Sequence, residues 1–116
     1  MKLINYTSNT VLASKVEFAD NFLSRLKGLM GKNEMLRGEC LIITPCNSIH
    51  TCFMKFPIDA IFLDKNWQVV KVVKYLRPWK FVAPVRNSQI VVEFLGGTLK
   101  GREFRVEEGD NLRLTT

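Results

Sequence analysis

The stretch Ile49 to Asp64, I-H-T-C-F-M-K-F-P-I-D-A-I-F-L-D, is the densest run of strand-forming residues in the chain, and Pro57 interrupts it. Proline has no N–H to give to a ladder, so one continuous central strand is excluded. The run must fold as two strands hinged at the proline. Alternation in the first half puts Ile49, Thr51 and Phe53 on one face and Ser48, His50, Cys52 and Met54 on the other. The second half resumes as a strand over Ile58 to Leu63, and Asp64, Lys65 and Asn66 turn it into a hairpin.

The flanking sequence repeats this pattern of short strands between turn signals. A period of two over Val11 to Ala19 predicts a strand, and Asp20 then supplies an N-cap for a helix. Phe22, Leu23, Leu26 and Leu29 or Met30 follow at helical spacing, with Gly28 and Gly31 available to end that helix. Cys40 to Thr44 reads as a buried strand ended by Pro45, and Trp67 to Leu76 as the return strand of the hairpin. Pro78 to Pro84 reads as a loop, and Ile90 to Leu95 as a strand broken by Gly96 and Gly97. Phe104 to Val106 and Leu112 to Leu114 are the last strand segments. These elements predict a mainly β (α+β) fold, a small curved sheet or partly open β-barrel of about seven short strands with one helix at about residues 21–29. At 116 residues, one domain spanning 1–116 is expected.

Charge is unevenly placed. Lys and Arg number 17 against 11 Asp and Glu, a net charge of +6. Between Lys65 and Val92 there is no acidic residue, while Lys65, Lys71, Lys74, Arg77, Lys80 and Arg86 are all basic. One contiguous quarter of the chain therefore carries the whole excess. The apolar start is broken by Asn5, Thr7, Ser8 and Asn9, so no signal-peptide core is expected, and no apolar run is long enough to span a bilayer. Cys40, Cys46 and Cys52, an odd number without disulfide-rich spacing, point to reduced thiols and a cytoplasmic location.

Four pieces of the chain together resemble the bacterial and archaeal family catalogued as domain of unknown function number 192. They are A-D and a helix ending K-G-L-M-G (Ala19 to Gly31), the central Ile49 to Asp64, P-W (Pro78, Trp79), and V-V-E-F-L-G-G-T followed by E-G-D (Val91 to Thr98, Glu108 to Asp110). The resemblance implies a compact, mainly β domain with one helix and no assigned reaction. The chain departs from the family pattern at Cys52, where a large aromatic is commoner, and at Gly96, where alanine is usual.

Three kinds of chemistry are open to these residues. His50 and Cys52, two apart on a strand, are candidate zinc ligands, whereas Cys46 lies roughly 20 Å of extended chain from Cys52 and needs a sharp bend to join them. Cys52 as nucleophile with His50 as base would need an orienting group and an oxyanion site, and the sequence shows neither. Acid–base work by His50 with Asp59 or Asp64 is an alternative, against which Asp59 can accept backbone amides at a bulge and Asp64 can shape its turn. The third candidate is Lys71 to Arg86, K-V-V-K-Y-L-R-P-W-K-F-V-A-P-V-R, in which five positive charges interleave with Tyr75, Trp79 and Phe81. That combination grips phosphates and stacks bases, and suits an anionic surface or acidic protein too. The expectation is a non-enzymatic binding module without cofactor, with a recognition surface built from His50, Thr51, Met54, Asp59, Lys74, Arg77, Trp79, Lys80 and Arg86.

Overall fold

The computed structural model describes residues 1–19, 36–101 and 104–116. Its strands are β1 (Lys2–Asn5), β2 (Thr10–Ala13), β3 (Lys15–Ala19), β4 (Glu39–Ile43), β5 (Ile49–His50), β6 (Ile58–Leu63), β7 (Val69–Leu76), β8 (Phe81–Val82), β9 (Ile90–Leu95) and β10 (Leu112–Thr115), with a 3-10 turn over Thr98–Lys100. They form a five-stranded sheet in the order β3-β4-β9-β6-β7, a three-stranded sheet β10-β1-β2, and the pair β5-β8. Among the described residues only β3 and β4 pair in parallel. The helix expected at about residues 21–29 lies outside the described residues.

The apolar runs explain the central position of β4, β6 and β9. A strand that is apolar on both faces gains only if both are covered, and all six residues of β6, apolar except for Asp59, are buried. Odd-numbered Ile61 and Leu63 join Val92 and Phe94 against Leu3, Leu12 and Leu112 of the three-stranded sheet. Even-numbered Ile58, Ala60 and Phe62 join Leu41, Ile43 and Val91 on the opposite face, where Ile49, Met54 and Phe56 cover them. At roughly 1.5–3 kcal/mol for each large side chain buried, these two layers are the main source of stability. The second layer also fixes where the Ile49 to Phe56 segment sits.

The β-rich, partly open architecture is as expected: the five-stranded sheet keeps β3 and β7 as its two edges and does not close into a barrel. Local boundaries differ. The run from Val11 to Ala19 breaks at Ser14 into β2 and β3, which enter different sheets, because the amides of Ser14 and Lys15 both donate to the Gly38 carbonyl. The strand expected over Ser48 to Met54 shortens to β5, since Thr51 to Met54 closes a turn through the Met54 N–H to Thr51 carbonyl bond. The loop after Pro78 contains β8, and no strand forms at Phe104 to Val106.

Candidate functional site

Thr51 organises the loop that carries Arg77, Trp79 and Lys80. β5 pairs antiparallel with β8, Ile49 opposite Val82 and His50 opposite Phe81, so the chain leaves β5 directly beneath the loop between β7 and β8. Thr51 is fully buried there, and both its backbone and its hydroxyl are committed to that loop. Its N–H donates to the Lys80 carbonyl at 2.9 Å, and its carbonyl accepts from Trp79 N–H at 3.0 Å. The hydroxyl accepts from Lys80 N–H at 2.9 Å and donates to the Arg77 carbonyl. One buried residue therefore fixes Arg77, Trp79 and Lys80 from below.

The side chains above this staple are aromatic and exposed. Phe53 and Trp79 meet edge to face with ring centroids 4.7 Å apart, yet they are 58% and 62% exposed. Phe81, opposite His50 in β8, is 67% exposed. Phe53 has φ 68°, Trp79 φ 65° and Tyr75 φ 55°. Left-handed backbone at a bulky residue costs of order 1–3 kcal/mol and persists where surrounding structure enforces it. At Phe53 and Trp79 the turn after Thr51 and the Thr51 hydrogen bonds enforce it, aiming both rings at solvent, and at Tyr75 the amide is held by Asp59. The Arg77 guanidinium stands 6.0 Å from the Tyr75 ring centroid, and exposed Lys80 continues the positive charge.

The other predicted residues divide between framework and surface. Met54 is buried against Ile49 and Phe56 instead of sharing a face with His50, because the left-handed turn at Phe53 breaks the alternation. His50 is half-buried, and its Nδ1 accepts the Cys52 N–H at 3.3 Å. Cys52 is half-buried, and Cys46 donates its thiol to the Ser48 carbonyl at 3.0 Å. Among the described residues no group of three or more His, Cys, Asp or Glu side chains is placed to hold a metal ion. Lys74 and Arg86 are exposed, and Asp64 accepts the amides of Asn66 and Gln68 at 2.8 and 3.0 Å, shaping its turn.

Asp59 faces a different place. The pairing of β6 with β7 shifts between Ile58 and Ala60, and this bulge frees the Tyr75 amide from the ladder. Asp59 Oδ1 accepts that N–H at 2.7 Å and the Gly97 N–H at 3.2 Å, and Oδ2 accepts the Leu99 N–H at 2.7 Å. The fully buried carboxylate forms the floor of a cavity of about 580 Å³, lined by Arg37, Lys74, Tyr75, Gly97 and Lys100. His50 does not line this cavity, so the pair proposed for acid–base work does not meet there. Phe53 and Arg37 join the candidate surfaces without having been predicted for them, whereas Phe81 belongs to the aromatic, basic stretch already singled out. An exposed aromatic in an apolar run carries no local mark of exposure.

With this geometry in hand, residues 4–114 match the model of DUF192, described as Uncharacterized ACR. The chain belongs to the DUF192 family. A UPF0127 protein of Pyrococcus furiosus is 35% identical over 115 residues, covering 95% of this chain and 95% of the relative. A UPF0127 protein of Pyrococcus abyssi is 38% identical over 120 residues, covering 98% and 97%. The crystal structure of a protein of unknown function from Novosphingobium aromaticivorans superposes with a TM-score of 0.79 at 19% identity, covering 97% of this chain and 82% of that one. At that identity the likeness is one of fold, and it extends the DUF192 architecture across distant sequences.

Proposed function

We propose that this DUF192 domain is a non-enzymatic binding module that recognises an anionic partner through Phe53, Trp79 and Phe81 flanked by Arg77 and Lys80. The observation that carries the reading is the Phe53–Trp79 pair, exposed and held in left-handed backbone by a buried threonine. Strain of that kind is retained where it serves a purpose, and rings presented beside guanidinium and ammonium groups suit a ligand with negative charge and flat or apolar parts. Single-stranded nucleic acid has both. The acid-free sequence from Lys65 to Val92 adds charge complementarity and removes local repulsion. The acid–base alternative is less well supported, since His50 does not line the Asp59 cavity and Asp59 accepts three backbone amides. Three free thiols favour a reducing, cytoplasmic setting.

The test is titration at low ionic strength with single-stranded RNA, single-stranded DNA, heparin and anionic phospholipid vesicles, following Trp fluorescence and anisotropy. Saturable binding to one of these that weakens steeply with added salt is the expected result. Absence of binding to all four overturns the proposal.

A further inference from the structure

Three cations converge on the Asp59 cavity from segments distant in sequence. Arg37 comes from the turn before β4, Lys74 from the bulged end of β7, and Lys100 from the 3-10 turn after β9. All three are exposed, and the ion pairs among the described residues, Lys15–Glu39 and Arg105–Glu107, involve none of them. Against them stands a single carboxylate in the lining, that of Asp59, so cations outnumber it three to one there. Its oxygens are turned into the backbone, where the amides of Tyr75, Gly97 and Leu99 hold them. The cavity lining is thus net positive.

We propose that this cavity binds a small phosphate-bearing molecule. A guanidinium offers two parallel N–H groups to phosphate oxygens, and two ammonium groups add point charges without demanding one geometry, a combination suited to a compact polyanion. The volume of about 580 Å³ falls within the range of small-molecule sites and exceeds what a bare phosphate occupies. The exposed Tyr75 ring forms a wall for the remaining, flatter part of the ligand. None of Phe53, Trp79, Phe81, Arg77 and Lys80 lines this cavity, so the site goes beyond the aromatic recognition surface and does not depend on it.

Calorimetric titration of the whole chain with inorganic pyrophosphate and with AMP, using adenosine as the uncharged control, tests the assignment. Pyrophosphate and AMP bind saturably and adenosine does not. Lys74→Gln and Lys100→Gln each weaken binding about tenfold, while Lys65→Gln, which removes an equal charge at the β6–β7 turn, changes it less than about twofold. Failure of both anions to bind, or equal weakening by Lys65→Gln and Lys74→Gln, overturns the site. Thermal melts of each variant confirm that the comparison is between folded proteins.

Discussion

Asp59 Oδ2 accepts the Leu99 N–H at 2.7 Å across 40 positions of sequence, tying the central strand β6 to the turn that follows β9. With Tyr75 and Gly97 held by the same carboxylate, this one side chain caps three amides that the bulge and the Gly96–Gly97 turn leave without ladder partners. Asp59→Ala strands those donors, and because a charged acceptor is being removed the expected loss is on the order of 3–5 kcal/mol. Asp59→Asn keeps one carbonyl oxygen but turns an NH2 group toward a donor, so it should lose roughly 2 kcal/mol. Urea midpoints measure both. A cost below about 1 kcal/mol for the alanine variant would mean that other acceptors reach these amides.

Trp79 offers a test in which stability and binding separate. At φ 65° any residue with a Cβ is disfavoured, while glycine is not. Trp79→Gly and Trp79→Ala both remove the indole and its contact with Phe53, so that loss cancels in the comparison. The glycine variant should be more stable than the alanine variant by about 1 kcal/mol, and both should lose anion binding. An alanine variant as stable as the glycine one would show that this backbone is not held in the left-handed region.

Thr51→Val examines the staple beneath. The substitution keeps shape and removes the hydroxyl, leaving the Arg77 carbonyl without that donor and Lys80 N–H without its acceptor. A loss of about 1–3 kcal/mol is expected, with weaker binding from intact Trp79 and Lys80 side chains. Hydrogen exchange at the Trp79 and Lys80 amides should accelerate with it, and unchanged exchange would remove Thr51 from its positioning role.

The boundaries of β6 and β9 are those read directly from apolar runs bounded by Pro57, Asp64 and Gly96, because strands buried on both faces announce themselves in composition. The β2–β3 break does not: Val11 to Ala19 alternates without interruption, and the switch of sheets depends on the distant Gly38 carbonyl. Phe53 is hidden for a related reason. Its exposure follows from a left-handed turn that no local glycine or asparagine signals. The aromatic, basic character of Tyr75 to Phe81 was legible as a string of residues, but its attachment to Thr51 and the gathering of Arg37, Lys74 and Lys100 are tertiary facts. Asp59 shows the limit most clearly, since a carboxylate two residues after a proline reads alike whether it serves catalysis or a bulge.

Gly96 is explained by its neighbour. A Cβ placed there would lie 2.9 Å from the carbonyl carbon, Cβ and Cγ of Pro57, whose carbonyl accepts the Gly96 N–H at 2.9 Å. The clash involves backbone, so rotation of a side chain cannot relieve it. Gly96→Ala should therefore cost about 1–3 kcal/mol in this chain, although alanine is the residue that the family resemblance leads one to expect. A variant as stable as the parent would show that the Pro57 hinge yields at no cost.

Cys40 supplies a pH dependence with a definite sign. It is 1% exposed in the layer shared by Ile42 and Val92, and burial pushes its thiol up to about 12, with the nearby Glu17 carboxylate adding to the effect. In the unfolded chain the thiol ionises from its ordinary value of 9.0. The folded pKa is thus the higher one, so the folded state keeps its proton where the unfolded state has lost it. Stability is fully present below about pH 9 and declines by up to about 1.4 kcal/mol per pH unit as the pH rises toward the folded pKa. By about pH 10.5 the loss is on the order of 2 kcal/mol. Lysines and tyrosines titrate in the same range, so the decisive quantity is the difference between the parent and Cys40→Ala. Urea-derived stabilities should show the parent losing ground to the variant above pH 9, while below it their difference stays constant. The same burial makes Cys40 resist iodoacetamide at about pH 8 under conditions that alkylate half-buried Cys52. Parallel pH profiles for parent and variant would mean that the thiolate is tolerated in the folded protein and that the layer between the two sheets admits water.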